Sequence, residues 1–304
     1  MTEPAYVAVD WGTSSFRLWL TDRAGQVLAE RRSGEGMLAA AKAGFAGVLQ
    51  SHLAAVEAPA DLPVLVCGMA GAKTGWVEAG YVDTPAPLAA VLKQAVRVPG
   101  EARDIRILPG IAQREVAAPD VMRGEETQLL GAVGLDAAGE ALVCMPGTHS
   151  KWVRVKDGTV AHFSTFMTGE LFSVVSRETI LSLAVAGAEE AEDIASFKAA
   201  VKSAYEAPAF AANLLFTARS RQLLFGGTPA AARETLSGTL IGAELAAGLS
   251  GTLPKAGITL IASGRLAALY RHAFDAVSVT VQPIDADDAV RRGLSMAAAA
   301  IWMK

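Results

Sequence analysis

The residues best suited to chemistry near the start of the chain are an acid and the small side chains after it, in Asp10-Trp11-Gly12-Thr13-Ser14-Ser15. The β-prone run before Asp10 predicts a strand that ends at the acid, and the glycine and hydroxyl residues predict a tight turn. Backbone N–H groups and hydroxyls in such a turn suit phosphate oxygens, and a neighbouring carboxylate suits a hydrated Mg²⁺. We therefore predict a phosphate site here, with Asp10 as the metal-directing acid.

A second turn of the same kind lies in the middle of the chain, in Met145-Pro146-Gly147-Thr148-His149-Ser150-Lys151. Gly147 follows Gly12 by 135 residues, and a threonine and a serine match at that same offset. Strands and a further turn flank both copies in the same order, which indicates one duplicated unit; the alternative is a chance similarity of two hairpins. Two such turns facing each other would hold one polyphosphate. Lys151 would either neutralise the charge of the polyphosphate or be exposed to solvent.

The elements around these turns alternate between strands and helices, which is typical of an α/β protein. Strands are predicted at 6–10, 16–21, 27–31, 64–67, 106–108, 142–145, 151–155, 159–166, 257–262 and 277–283. Helices are predicted at 45–56, 87–98, 127–133, 169–186, 210–224, 230–247 and from Asp285 onward, with an acidic surface segment at 187–195.

Length and composition limit the class of protein. The chain has 304 residues, a formal net charge of -4 and two cysteines. That length predicts two domains, placed at 1–135 and 136–304, with the last helix packing back on the first. The mild acidity argues against nucleic acid as a partner, and the apolar tail is too short to cross a membrane. Two cysteines form no disulfide framework and no signal peptide is apparent, so a cytoplasmic protein is expected.

Several nucleotide and hydrolase motifs are absent from the sequence. The segment 68–74 approaches a P-loop, but Ala72 stands where the glycine before the lysine is required. No Gly-x-Gly-x-x-Gly opens a helix after a strand, and no Gly-x-Ser-x-Gly elbow occurs. A P-loop, a Rossmann dinucleotide site and a serine-hydrolase elbow are therefore excluded.

Five segments together resemble the 2-dehydro-3-deoxygalactonokinase family, and the two glycine turns resemble the phosphate loops of the actin-like ATPase and sugar kinase superfamily. The segments are residues 7–17, Cys67-Gly68-Met69-Ala70-Gly71, Arg123-Gly124-Glu125-Glu126-Thr127-Gln128, residues 146–152 and residues 166–172. The resemblance covers nearly the whole chain. It implies a two-lobed, ribonuclease H-like α/β duplication with a cleft between the lobes.

The same resemblance implies an ATP- and Mg²⁺-dependent kinase for the terminal hydroxyl of 2-dehydro-3-deoxy-D-galactonate, which gives the 6-phosphate in galactonate breakdown. ATP phosphates are expected on the two turns, at Gly12, Thr13, Ser14, Ser15, Gly147, Thr148, His149, Ser150 and Lys151. Adenosine is expected at Ser263, Gly264 and Arg265, with Gly242 close by. The sugar acid is expected near Gly34, Gly36, Gly68, Met69, Gly71, Trp76 and Arg123, and no spacing argument selects the residue that binds its carboxylate.

A kinase of this kind also needs a carboxylate to orient or deprotonate the acceptor hydroxyl. The resemblance implies Glu126 or Glu125 at the start of a helix, with Glu126 preferred and Asp83 as a third candidate. The alternative is that both glutamates only cap the helix N-terminus.

Two other functions remain open from the sequence. A kinase of the same fold could act on another acid sugar or an amino sugar, since a few side chains set the substrate. An actin-like or chaperone-type ATPase would share both turns, although 304 residues leave little room for a further domain. A homodimer is possible, and the expected partners are otherwise small molecules.

Overall fold

The protein is described by a computed structural model that covers residues 3–135, 137–188, 192–255 and 257–303. The chain forms two compact units. The first comprises residues 1–139, 155–162 and 285–304, and the second comprises residues 140–154 and 163–284. The division predicted at 135/136 stays a prediction, and Asp136 lies outside the described residues.

Fifteen strands and eleven α-helices are found in the described residues. The strands are β1 (Pro4–Trp11), β2 (Phe16–Asp22), β3 (Val27–Ser33), β4 (Val64–Gly68), β5 (Tyr81–Asp83), β6 (Ala86–Pro87), β7 (Val96–Arg97), β8 (Ile105–Ile107), β9 (Gly110–Gln113), β10 (Asp120–Met122), β11 (Glu140–Met145), β12 (Ser150–Lys156), β13 (Thr159–Phe166), β14 (Ile258–Ile261) and β15 (Val281–Ile284). The helices are α1 (Met37–Ala43), α2 (Phe45–Ala55), α3 (Leu88–Lys93), α4 (Glu125–Val133), α5 (Thr168–Glu178), α6 (Ser182–Val185), α7 (Ile194–Glu206), α8 (Ala211–Phe225), α9 (Pro229–Gly248), α10 (Gly264–Ala276) and α11 (Ala286–Trp302).

The main sheet of the first unit has the order β3-β2-β1-β4-β8-β7. The central strand β1 pairs antiparallel with β2 and parallel with β4. In this register Asp10 lies opposite Arg17 on one side and Cys67 on the other. Large side chains such as Trp11 and Phe16 are fully buried beneath the sheet, so the carboxyl end of β1 is rigidly held.

The last helix, α11, packs on α4, β1 and β4 of the first unit. Its start is capped by Asp285, whose side chain accepts hydrogen bonds from the N–H groups of residues 287 and 288. Two glycines permit close contact between the helices: a Cβ at Gly131 would overlap the backbone of α11, and a Cβ at Gly293 would overlap the backbone of α4. A smaller sheet of order β10-β9-β5 leads into the start of α4.

The second unit is built on the strand order β15-β14-β11-β12-β13, in which β11, β14 and β15 run parallel. The tip of the β12–β13 hairpin, at 155–162, belongs to the first unit, where β6 pairs with β13. Helices α7, α9 and α10 contact one another. The core includes Trp152 and Phe197, with Tyr270 and Phe274 from α10.

The α/β class and the two strand–turn–strand units predicted from the sequence are confirmed. The turn at 22–25 also forms, because the Asp22 carboxylate accepts hydrogen bonds from the N–H groups of Ala24 (2.9 Å) and Gln26 (2.8 Å). None of the helices in the described ranges is long and apolar enough to cross a membrane.

Some predicted boundaries are wrong. The helix expected at 87–98 ends at Lys93 and is followed by β7. The helix expected at 169–186 is two helices, because Thr179 is extended and its hydroxyl donates to the carbonyl of Val175 (2.6 Å). The expected strand at 277–283 forms only from Val281 onward. Helices α7 and α10 were not predicted, and residues 189–191 of the expected acidic segment lie outside the described residues.

Candidate functional site

Asp10 lies at the carboxyl end of β1 and is buried, with 8% of its surface exposed. Its carboxylate forms an ion pair with Arg17, and the same guanidinium also pairs with Asp287 at the start of α11. The thiol of Cys67 lies 3.8 Å from Asp10 Oδ1. Burial raises the pKa of Asp10, and the Arg17 guanidinium opposes that shift. The acid is therefore held in one position by Arg17, a cation whose role has no local signal in the sequence.

The turn after Asp10 exposes three side chains, Thr13, Ser14 and Ser15. It is closed by a hydrogen bond from the Gly12 N–H to the Ser15 carbonyl (2.9 Å). The next segment supports it, because the Met37 N–H donates to the Gly12 carbonyl (2.9 Å). A Cβ on Gly36 would lie 2.5 Å from the Ser14 backbone, so only glycine permits this contact. The result is a small, exposed loop of hydroxyls on a fixed base.

This donor set fits a metal ion that arrives on a nucleotide. The described residues contain no cluster of three or more His, Cys, Asp or Glu side chains that could hold a metal ion. Mg²⁺ is commonly held by one or two carboxylates, with substrate phosphates and waters as the other ligands. Asp10 could act as such a carboxylate.

The residues expected to bind substrate lie in different surroundings within the first unit. Gly68 has a φ of 90° and touches the first turn, since its Cβ would lie 2.6 Å from the Trp11 carbonyl. Trp76 stacks on Phe45 with 6.0 Å between ring centroids, so it belongs partly to the core. Gly71 is buried, Met69 is half-buried and Gly34 is exposed.

Arg123 is the residue of this group with the clearest unmet bonding capacity. Its Nη2 donates to the Gly80 carbonyl (2.8 Å), and its guanidinium carbon lies 4.5 Å from the centre of the Tyr81 ring. Its Nε and Nη1 are buried and have no hydrogen-bond partner among the described residues. A Cβ on Gly71 would lie 2.8 Å from Nη1. Nε and Nη1 point to different sides of the guanidinium, so each offers a donor for one oxygen of an anionic ligand.

The two glutamates at the start of α4 make capping contacts. Glu126 is fully buried and accepts hydrogen bonds from the Gly124 N–H (2.6 Å) and from the Thr127 hydroxyl (2.9 Å). Glu125 is half-buried and accepts from the Arg123 N–H (3.0 Å). Burial, together with the Glu125 charge, raises the pKa of Glu126 to about 7. Capping and proton transfer are therefore both compatible with Glu126.

Asp83, the third candidate base, lies at the end of β5 with its side chain 55% exposed. Arg114 Nε donates to its Oδ1 (2.8 Å). This exposed ion pair is a surface feature.

The turn at 147–151 divides into an exposed part and a buried part. Thr148 and His149 are exposed, and His149 Nε2 lies 2.5 Å from Glu170 Oε2. The Ser150 hydroxyl is fully buried and lies 3.1 Å from the Tyr270 hydroxyl, so it already has a partner within the second unit. Lys151 is buried, with 4% of its surface exposed, so the reading of a solvated turn lysine is wrong.

Gly169, at the start of α5, supports the exposed part of this turn. A Cβ there would lie 2.5 Å from the Gly147 carbonyl oxygen. The Glu170 N–H also donates to the Thr148 carbonyl (3.0 Å). The start of α5 therefore fixes the turn in the same way that Gly36 fixes the first one.

A buried carboxylate on α9 connects this turn to the rest of the second unit. Glu244 is 3% exposed and accepts hydrogen bonds from Trp152 Nε1 (2.9 Å), the Tyr270 hydroxyl (2.8 Å) and the Thr168 hydroxyl. Burial raises the pKa of Glu244, and these hydrogen bonds oppose the shift. Glu244 gives no local signal in the sequence, because its partners Trp152 and Thr168 lie 92 and 76 positions away in the chain.

A cavity of about 190 Å³ extends from the second turn along α9 and α10. Its lining contains Gly147, Thr168, Gly169, Phe172, Arg233, Glu234, Ser237, Leu240, Ile241, Arg265, Leu266, Leu269 and Tyr270. Of the residues expected at adenosine, only Arg265 is in this lining; Ser263 and Gly264 form the start of α10 beside it. Gly242 faces α7, where a Cβ would overlap the Val201 carbonyl, so its expected role is corrected to helix packing.

Glu234 is a buried acid in the wall of this cavity, with 2% of its surface exposed. Its Oε1 lies 3.3 Å from both Arg233 Nη1 and Arg265 Nη2. Burial raises the pKa of Glu234, and the two guanidinium groups oppose that shift. Its Oε2 is buried without a hydrogen-bond partner in the part of the chain that the structure describes.

Comparison with known proteins identifies close relatives along the whole chain. Residues 10–297 match the family described as 2-keto-3-deoxy-galactonokinase. The relative DgoK1 of Rhizobium meliloti (strain 1021), named as a 2-dehydro-3-deoxygalactonokinase, is 59% identical over 98% of this chain and 97% of its own. The 2-dehydro-3-deoxygalactonokinase of Escherichia coli (strain K12) is 33% identical over 97% and 98% of the two chains.

Solved structures agree with these relatives. A crystal structure from Sinorhizobium meliloti, described as a 2-dehydro-3-deoxygalactonokinase protein, has a TM-score of 0.94 at 58% identity and covers 98% of this chain and 99% of its own. An activator of 2-hydroxyisocaproyl-CoA dehydratase from Clostridium difficile, solved with bound ADPNP, has a TM-score of 0.50 at 11% identity and covers 96% and 93%. The latter likeness concerns the fold alone, and it agrees with the expected actin-like architecture.

Proposed function

Because the chain belongs to the 2-keto-3-deoxy-galactonokinase family, we propose that it transfers the γ-phosphoryl group of ATP to the terminal hydroxyl of 2-dehydro-3-deoxy-D-galactonate. The product is the 6-phosphate, an intermediate of galactonate catabolism. The observation that carries this function is the identity of 59% with a relative of that name over 98% of the chain. The family resemblance inferred from the five segments is thereby confirmed, and a chaperone-type ATPase is no longer supported.

In this reaction the acceptor oxygen bonds to the γ-phosphorus, the bond to ADP breaks, and the acceptor proton moves to a base. We propose that each glycine turn binds phosphate oxygens, through Gly12, Thr13, Ser14 and Ser15 in one and Gly147, Thr148 and His149 in the other. Lys151 adds positive charge from beneath the second turn. Mg²⁺, directed by Asp10, would neutralise charge on the β- and γ-phosphates.

Arg123 is the proposed partner of the substrate carboxylate. Its two unpaired N–H groups are supporting evidence, because buried donors are nearly always hydrogen-bonded in the complete complex. Arg114 is cationic as well, but it is exposed and already paired with Asp83, so it serves as a matched control. We expect Arg123→Gln to raise the KM for the sugar acid by about tenfold or more, in line with a lost charge-assisted hydrogen bond. Arg114→Gln should change it less than twofold.

The proposed base belongs to the pair Glu126 and Glu125. Glu126 has a pKa close to neutral, which suits proton transfer, and Glu125 has the greater exposure. Comparison of Glu126→Gln with Glu125→Gln separates them, since loss of a general base lowers kcat by about 10²- to 10⁴-fold. If both variants keep normal turnover, neither glutamate is the base.

The experiment that tests the function is a coupled assay of ADP formation with a panel of acceptors. The panel contains 2-dehydro-3-deoxy-D-galactonate, its gluconate epimer, D-galactonate, N-acetylglucosamine and a reaction without acceptor. We expect the highest kcat/KM with the first compound. Preference for another acid or amino sugar would establish the runner-up function, and ADP formation that no acceptor stimulates would contradict a kinase.

Two coarser expectations also belong to this proposal. We propose that the protein acts in the cytoplasm, where its product would be consumed, and fractionation of cells that express it tests this.

We also propose self-association through α8. Four large apolar side chains of this helix are more than half exposed: Phe216, Leu223, Leu224 and Phe225. Sedimentation analysis of the wild type and of Leu224→Glu would contradict it if both are monomers.

A further inference from the structure

We propose that Glu234 recognises the nucleotide base, by accepting a hydrogen bond from the 6-amino group of adenine on its unpaired Oε2. This inference rests on the proposed use of ATP and adds a specificity-determining residue to it. The starting point is a carboxylate that is 2% exposed and has one oxygen fully paired and the other unpaired among the described residues. A buried acceptor without a donor costs free energy, so a ligand that supplies the donor gains affinity.

The position of Glu234 along α9 assigns it to the base rather than to the phosphates. One face of α9 carries four residues at spacings of three and four, which are residues 234, 237, 241 and 244. Ten residues separate Glu234 from Glu244, or roughly 15 Å at the rise of an α-helix. Glu244 contacts Thr168 beside the second turn, so that end of the cavity lies next to the phosphate loop.

A nucleotide whose phosphates lie on Gly147 therefore has its ribose next and its base farthest along α9. The 6-amino group is at the far edge of adenine, away from the sugar. This order points Glu234 to the base and not to a ribose hydroxyl.

The walls between the two ends have the chemistry that a purine requires. Phe172 and four leucine or isoleucine side chains, Leu240, Ile241, Leu266 and Leu269, give apolar surfaces for the flat faces of the ring. The Arg233 guanidinium carbon lies 5.7 Å from the centre of the Phe172 ring, which fixes this arginine beside Glu234. In an apolar wall of this kind, the unpaired Oε2 of Glu234 determines which edge of the purine ring binds there.

A substitution to glutamine tests this directly. The two arginines at Oε1 are donors, so they retain the amide oxygen of Glu234→Gln and leave its NH₂ group at the position of Oε2. That group then faces the adenine amino group as donor against donor. The fold of the variant is checked by circular dichroism, and any general loss of affinity cancels in a ratio of two nucleotides measured on the same protein.

The experiment measures binding of ATP and of purine riboside triphosphate, which lacks the 6-amino group, by calorimetry without any sugar acid. We expect the wild type to bind ATP about tenfold or more tightly than the analogue, the size expected for a hydrogen bond to a charged group. Glu234→Gln should reduce that preference to less than about threefold. The matched control is Glu192→Gln, whose carboxylate is 4.0 Å from the same Arg265 but is exposed and outside the cavity lining, and it should keep the wild-type ratio.

Equal affinity of the wild type for the two nucleotides would overturn the proposal, as would a preference that survives in Glu234→Gln. The wild type could also prefer ATP over 2′-deoxyATP or 3′-deoxyATP. If that preference disappears in Glu234→Gln, Glu234 binds the ribose, and the adenine proposal is overturned. If the kinase assay shows no activity but ATP still binds tightly and through its 6-amino group, the proposed acceptor is wrong and the role of Glu234 in adenine recognition stands. Absence of ATP binding by the wild type would refute both proposals.

Discussion

Replacing Glu126 by glutamine should change how the stability of the protein depends on pH. Glu126 is fully buried, and burial with the neighbouring Glu125 charge raises its pKa to about 7 from an ordinary value of 4.5. Between those two pH values the folded protein holds a proton that the unfolded chain has released. The free energy of unfolding of the wild type therefore falls as the pH rises through this window, and it levels off above about pH 7.

The size of this effect follows from the shift. The contribution of Glu126 to the free energy of unfolding should fall by about 2–3 kcal/mol between pH 5 and pH 8. Glu126→Gln cannot lose a proton and lacks this fall, although the loss of its capping contacts lowers stability at every pH. We expect the difference between variant and wild type to move by that amount in favour of the variant as the pH rises.

Urea unfolding followed by tryptophan fluorescence at pH 5, 6, 7 and 8 measures the difference. Four of the five tryptophans lie in the first unit, which also contains Glu126, so the signal reports mainly on that unit. Glu115→Gln, which removes an exposed carboxylate, is the matched control and should show a constant difference. A difference for Glu126→Gln that is also constant from pH 5 to pH 8 would refute the argument that burial holds this proton.

Three further substitutions test the packing that supports the site. Gly36→Ala should lower kcat/KM for ATP by about 100-fold, because the new Cβ would displace the first turn. Gly34→Ala is the control and should keep the wild-type kcat/KM, because a Cβ there would have no atom within 4 Å. Equal kcat/KM for the two variants would contradict the close contact at Gly36. Gly131→Ala should lower the free energy of unfolding, measured with urea, by about 3 kcal/mol. Gly47→Ala on α2 is the control and should leave stability unchanged or raise it, because a Cβ there meets no other atom. Unchanged stability in Gly131→Ala would contradict the close contact between α4 and α11. Arg17→Met leaves the buried acid of the first turn unpaired and should cost about 3–5 kcal/mol at pH 8, so a stable variant would show that the pair is dispensable.

The two turns could be predicted from the sequence because their signals are local. In each case the signal lies within ten consecutive positions: a β-prone run that ends in an acid or an apolar residue, followed by glycine and hydroxyl residues. The helix start at Glu125 and the cap at Asp285 are local in the same sense, and both are present in the structure. For these elements tertiary packing agrees with local preference.

The supporting residues could not be predicted in this way because their partners are distant in sequence. Arg17 pairs with Asp287 across 270 positions, and Glu244 bonds to Trp152 across 92. Single charged residues within apolar helices give no periodic signal, so Glu234 and Glu244 read as ordinary helix residues. For Lys151 the local sequence left two roles open, neutralising phosphate charge or lying in solvent. Its burial at the start of strand β12 excludes the second role.

The position of α11 has a consequence for how the protein forms during synthesis. Val290 and Leu294 of this helix are fully buried in the first unit, and Asp287 holds the arginine that neutralises Asp10. The first unit therefore cannot complete its core until residues 285–304 have left the ribosome, whereas the second unit needs no residue beyond 284. The half of the protein that is translated first is thus the last to mature, in contrast to the usual N-terminal-first order.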